Sequence, residues 1–151
     1  MKLSEHFSLA ELSRTDHRSL DNSPDPAALA NLHRLAVFLE QVRAALGNRV
    51  VVINSAYRSK AVNDAVGSKD TSQHRLGCAA DIRVPGMSPD AVVRAVMASG
   101  LAYDQLIKEF DSWTHISIPN APDAYAQKMV FIIDKTGTRL FPADPTWLAA
   151  S

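Results

Sequence analysis

Residues 25–46 constrain the fold of this chain more than any other stretch. Leu29, Leu32, Leu35, Ala36, Leu39, Val42 and Leu46 recur at three- and four-residue steps, which predicts one long helix with a single apolar stripe. Such a helix is stable only when that stripe is buried against another layer. The rest of the chain offers one. Gly47-Asn48 ends the helix, and the β-branched run Val50-Val51-Val52-Ile53 reads as a buried strand. Further strands are expected at residues 79–84, 103–109 and 113–118, and a last hairpin at 129–134 and 138–141. Ser8-Leu9-Ala10-Glu11 reads as a capping box on a short helix, residues 59–66 as another, and Ser88-Pro89-Asp90 as the start of a helix that stops at Gly100. Residues 14–26 and 69–78 read as loops. Helices come early and strands pair late, so the expectation is an α+β fold with a mainly antiparallel sheet packed against helices. No repeat or low-complexity linker interrupts the chain, which predicts a single domain over residues 1–151.

Composition narrows the function. The formal net charge is +0, so no basic excess points to nucleic acid. Cys78 is the only cysteine, which excludes an internal disulfide and a thiolate-rich structural metal site. No apolar run approaches the ~20 residues that span a bilayer, and the start Met1-Lys2-Leu3-Ser4-Glu5-His6 has no apolar signal core. The reading is a monomer made in the cytoplasm, with no membrane insertion.

Against that plain background, His74, Asp81 and His115 stand out. Two imidazoles and one carboxylate make a three-ligand shell that leaves a coordination position open, the ligand count of a hydrolytic zinc site. Gly77 permits a sharp backbone return between His74 and Asp81, and the small residues Cys78, Ala79 and Ala80 leave room beside them. Asp81 lies between Ala80 and Ile82, a costly place for a carboxylate without a positive partner. A metal cation is one such partner, and Arg58 or Arg83 is the alternative. His6, His17 and His33 have no partner acid at a useful spacing and read as surface or packing residues. Water at such a metal needs a base. If the turn Phe110-Asp111-Ser112 holds three residues, Glu109 pairs with Trp113 and shares the face of His115. A two-residue turn would leave Asp111 as the base instead. Arg58, in the loop Ser55-Ala56-Tyr57-Arg58-Ser59 after the first strand, suits a substrate carboxylate or an oxyanion, and equally an ordinary salt bridge.

Together these residues resemble the M15 family of zinc peptidases, which includes D-Ala-D-Ala carboxypeptidases, dipeptidases and phage L-alanyl-D-glutamate endolysins. The match is carried by Ser55-Ala56-Tyr57-Arg58-Ser59, Asn63, Ser72-Gln73-His74, Gly77, Ala79-Ala80-Asp81-Ile82, Asp104-Gln105-Leu106-Ile107, Glu109 and Trp113-Thr114-His115-Ile116-Ser117. The opening Leu3 to Leu12 resembles small phage members. The resemblance implies the hedgehog/DD-peptidase fold and one Zn2+ held by His74, Asp81 and His115. It also implies Arg58, Ser72 and Tyr57 near a peptidoglycan peptide substrate, and action on the cell wall after holin-type release. Many members carry the catalytic acid three residues before the last His ligand, and here that position is Ser112. Glu109, six before, matches the hedgehog pattern and is the favoured base, with Asp111 as the alternative. Two rival readings use the same trio: a metal-containing module that grips cell-wall peptide or protein without cutting, and a non-haem iron oxygenase. Glu109 and Arg58 argue against the first, and a hydrolytic base has no clear purpose in the second.

Overall fold

The computed structural model describes residues 1–142; the end of the expected domain, residues 143–151, lies outside the described residues. The chain opens with one helical turn, α1 (Leu9–Leu12), closed by the expected capping box between Ser8 and Glu11. The apolar stripe becomes α2 (Pro26–Ala45), capped by Asp25, whose carboxylate accepts from the Ala28 amide at 2.8 Å. Leu32, Leu35, Ala36, Leu39 and Val42 are buried as expected, and Ala28 and Phe38 join them. Then follow β1 (Val52–Ser55), α3 (Lys60–Ala65), α4 (Gln73–Leu76) and β2 (Ala79–Arg83). After these come α5 (Pro89–Ser99), β3 (Gln105–Glu109), β4 (Trp113–Ser117), β5 (Met129–Asp134) and β6 (Gly137–Leu140).

The strands form one six-stranded sheet in the order β1-β2-β4-β3-β5-β6. All neighbours are antiparallel except β3 and β5. Alternation along each strand gives the sheet two unlike faces. Ala80, Ile82, Leu106 and Ile116 point to one face and enter the core with α2 and α5. Full burial of side chains such as Ile82, Leu106 and Ile116 stabilises the layer by roughly 1.5–3 kcal/mol each. The same alternation turns Asp81 and His115 to the opposite face. A mixed fold of helices on a mostly antiparallel sheet is therefore what the chain adopts.

Three local expectations change. The first strand lies two residues later than its β-branched run suggests, because Val50 is 64% exposed and pairing begins at Val52. The segment 69–78 is not all loop, since α4 forms within it. Finally, β5 joins β3 in parallel, a long-range pairing that no local pattern encodes.

Candidate metal centre and active site

Four segments converge on the polar face of the sheet. Asp81 sits in the middle of β2 and pairs directly with His115 of β4. Directly paired residues share a face, so both side chains project together. Ser55 of β1 pairs with Asp81 from the other side, after a bulge that breaks the register between Ile53 and Ser55. His74 arrives from α4. That turn is capped by Ser72, whose hydroxyl accepts from the His74 amide at 3.3 Å, and ends at Gly77 with φ +79°. Gly77 is required twice over: its backbone is left-handed, and an added Cβ would lie 2.8 Å from the Ala28 carbonyl oxygen of α2. The sharp return expected between the two ligands is thus a close approach between α4 and α2.

His74, Asp81 and His115 are all buried, and each offers a ligand atom within 4.8 Å of the others. Asp81 Oδ1 lies 3.3 Å from His74 Nε2 and 3.0 Å from His115 Nδ1. The His74 ring is oriented from behind: its Nδ1 donates to the Ala56 carbonyl oxygen at 2.6 Å. A carbonyl can only accept, so Nδ1 carries a proton, and Nε2 is the ring atom turned toward Asp81 that would ligate a metal. Burial raises the Asp81 carboxyl, and hydrogen bonds and charge from His115 and His74 outweigh it, so its pKa falls well below the usual range. This donor set fits a divalent ion such as zinc: two nitrogens and one oxygen, desolvated, with the carboxylate ionised.

The β3–β4 connection is the three-residue turn. Glu109 pairs with Trp113, which places Glu109 on the face of His115. Burial pushes the Glu109 carboxyl above its ordinary value, and the Asp81 charge pushes it further. His115, Trp113 and Arg58 oppose the rise without cancelling it. Trp113 acts through its buried indole N–H, which turns toward Glu109 without full hydrogen-bond geometry. Asp111 goes elsewhere. The turn holds it at φ +51°, and it pairs with Lys108 at 2.9 Å, which also approaches Asp90 of α5 at 3.6 Å. Lys108 alternates with Glu109 along β3, so this pair sits away from the His115 face.

Arg58 Nη2 lies 3.5 Å from Asp81 Oδ2, and Nε lies 3.3 Å from the Ser55 hydroxyl. Arg58 therefore both borders the centre and supplies the arginine partner that Asp81 needed, whereas Arg83 donates to Asn54. Ser72 lines a cleft of about 760 Å³ that reaches His115 and includes Gln73, Gln105, Asn120 and Gln127. Tyr57 is not brought to this cleft; it is buried within the hydrophobic core. His17 and His33 stay apart from the centre, but His6 has an acid partner after all, Glu40 of α2 at 2.7 Å. The buried Asn22 escaped sequence reading. Its amide group donates to the Ser13 and Tyr57 carbonyls and its oxygen accepts from the Ser59 amide, tying the loop after α1 to the Arg58 loop. The Asx pattern Asp21-Asn22-Ser23-Pro24 marks a turn but not this long-range role.

Among the described residues, no helix is long and apolar enough to cross a membrane. The profile of the family described as Peptidase M15 matches residues 5–117, a span that contains the whole His74, Asp81 and His115 centre together with Arg58 and Glu109. No curated protein matches the chain.

Proposed function

The chain belongs to the Peptidase M15 family, and from that premise we propose that it is a zinc-dependent peptidase that cuts a bond in the peptidoglycan stem peptide. It acts as an endolysin-like endopeptidase or a D-Ala-D-Ala carboxypeptidase. The reading takes the chain as one monomeric domain of the hedgehog/DD-peptidase type. The observation that supports it most is the convergence of His74, Asp81 and His115 on one buried point, with an acid and an arginine beside it.

In this reading His74 Nε2, an Asp81 oxygen and His115 Nδ1 hold the ion. Zinc bound there supplies a Lewis acid for water and for the scissile carbonyl. Glu109 takes the proton of the attacking water and returns it to the leaving amine. Its raised pKa suits that exchange, because a base works best with a pKa near the working pH. Arg58 donates toward the oxygen on which negative charge grows. Ser72, at the wall of the neighbouring cleft, contacts the peptide.

The decisive variant is Glu109→Gln. It keeps shape and metal content but removes the base, so lysis of purified sacculi in a turbidity assay should fall by about 10²–10⁴-fold. Chelator should abolish lysis by the parent and zinc restore it. If Glu109→Gln lyses sacculi as fast as the parent, Glu109 is not the base. If the parent holds zinc but never cuts, the protein is a binding module.

A further inference from the structure

The metal centre lies between two unlike depressions. On the His115 side is the 760 Å³ cleft, whose walls carry four side-chain amides and three hydroxyls, with Lys69 and Asp104 as its charged residues. On the Ser55 side is a smaller pocket of about 170 Å³, whose polar lining includes Arg14, Asp16, His17, Asn54, Ser55 and Arg58. Two arginines therefore line one small cavity that borders Asp81 through Ser55 and Arg58. Asp16 does not neutralise them: it is 92% exposed and only 3.9 Å from Arg14 Nη2, a weak, solvated pair.

The two arginines are far apart in sequence, and a buried residue holds them together. Asn22 donates to the Ser13 carbonyl at 2.8 Å and to the Tyr57 carbonyl at 3.0 Å, and accepts from the Ser59 amide at 2.7 Å. Ser13 precedes Arg14, while Tyr57 and Ser59 flank Arg58. One amide side chain thus fixes the backbone beside both guanidinium groups. Arg14 gains a further tether where Nη1 donates to the Ile53 carbonyl at 3.5 Å, which holds its side chain at the pocket wall. The planar fork of Arg14 beside a small cavity suits a carboxylate, and Arg58 adds positive charge from the Asp81 side.

Building on the peptidase reading, we propose that this pocket is a subsite for a free carboxylate on the substrate residue next to the scissile bond. Arg14 is the specificity-determining residue and Asn22 the positioning residue. Cleavage then favours peptides that carry that carboxylate over their amidated counterparts. The amide-lined cleft on the other side takes the uncharged part of the chain.

The test uses one stem pentapeptide in four forms, with the glutamyl carboxyl and the C-terminal carboxyl each free or amidated. One of the two carboxyls should lower KM by about fivefold relative to its amide, the size expected for a partly exposed arginine contact. Arg14→Gln should erase that preference with kcat unchanged, and Arg14→Glu should invert it. Calorimetry on the non-cutting Glu109→Gln protein, with and without Arg14→Gln, should show the same preference in Kd. If Arg14→Gln and Arg14→Glu keep the parent's acid-to-amide ratio, the subsite is refuted while cleavage stands. If no form is cut but the acid form binds more tightly in an Arg14-dependent way, the subsite stands and the peptidase reading falls. Equal binding of all forms with no cleavage refutes both.

Discussion

Asp81 and Asp134 are both held below the usual carboxylate range, by opposite means. Burial works against the Asp81 anion, and contacts with His115 and His74 override it. Asp134 is on the surface hairpin of β5 and β6, where Arg139, Thr136 and open water all favour the anion. The first charge exists because the fold forces three polar groups together in a dry place, and an isolated buried anion would be expensive. The second would be charged in any conformation. Similar shifts therefore mark different things: at Asp81 a poised site, at Asp134 a solvated ion pair of little energetic weight.

Substitution should separate the two. Asp81→Asn should lose more zinc affinity than the ~10–100-fold that loss of a ligand's supporting hydrogen bond costs, with peptidase activity falling alongside; zinc titration and lysis assays measure both. Equal behaviour of Asp81→Asn and Asp134→Asn would end the distinction. Next in size is Gly77→Ala. The left-handed backbone alone costs about 1–2 kcal/mol, and the approach to the Ala28 carbonyl adds to it. Urea unfolding should show the loss, and zinc affinity should fall because Gly77 ends the turn that carries His74.

A third carboxylate stands between the two cases and gives a pH test. Glu40 is pushed up by burial, but hydrogen bonds from Ser4 and His6 prevail and its pKa is lowered. A depressed carboxyl stabilises the fold above its unfolded pKa, and that stability is lost as pH falls through the folded value. Parent and Glu40→Gln should therefore differ in Tm at neutral pH and converge on acidification. The smallest effect belongs to Asp134→Asn, which should leave lysis and Tm unchanged within error, and more clearly so in high salt.

The sequence displayed what depends on local pattern. The long helix, the capping box at Ser8, the start of α5 at Ser88 and the period-two strands all follow from short-range chemistry. The metal trio was legible because Asp81 had no inexpensive explanation in its apolar run, whereas the side on which Glu109 falls stayed open until the Glu109–Trp113 pairing set the turn at three residues. Other features were hidden for physical reasons. A four-residue helix such as α4 is too short to show a period. The bulge beside Asn54, the Glu40 anchor of His6 and the Asn22 bridge depend on partners dozens of residues away. Tyr57 shows the reverse problem: a residue beside the site can serve the core, because Arg58 next to it faces Asp81 while Tyr57 joins Ala56 in the interior.

The parallel addition of β5 has a consequence for the molecule's behaviour in crowded solution. Without it, the open margin of the sheet would be β3, whose Leu106 and Ile107 are buried. A bare margin of that kind invites strands from other molecules to stack on it. Among the described residues, the hairpin moves the margin outward to the four-residue β6, where Thr138 and Arg139 are exposed. A four-residue rim that carries Arg139 is a poor template for aggregation, so the hairpin shields the strands that hold Glu109 and His115.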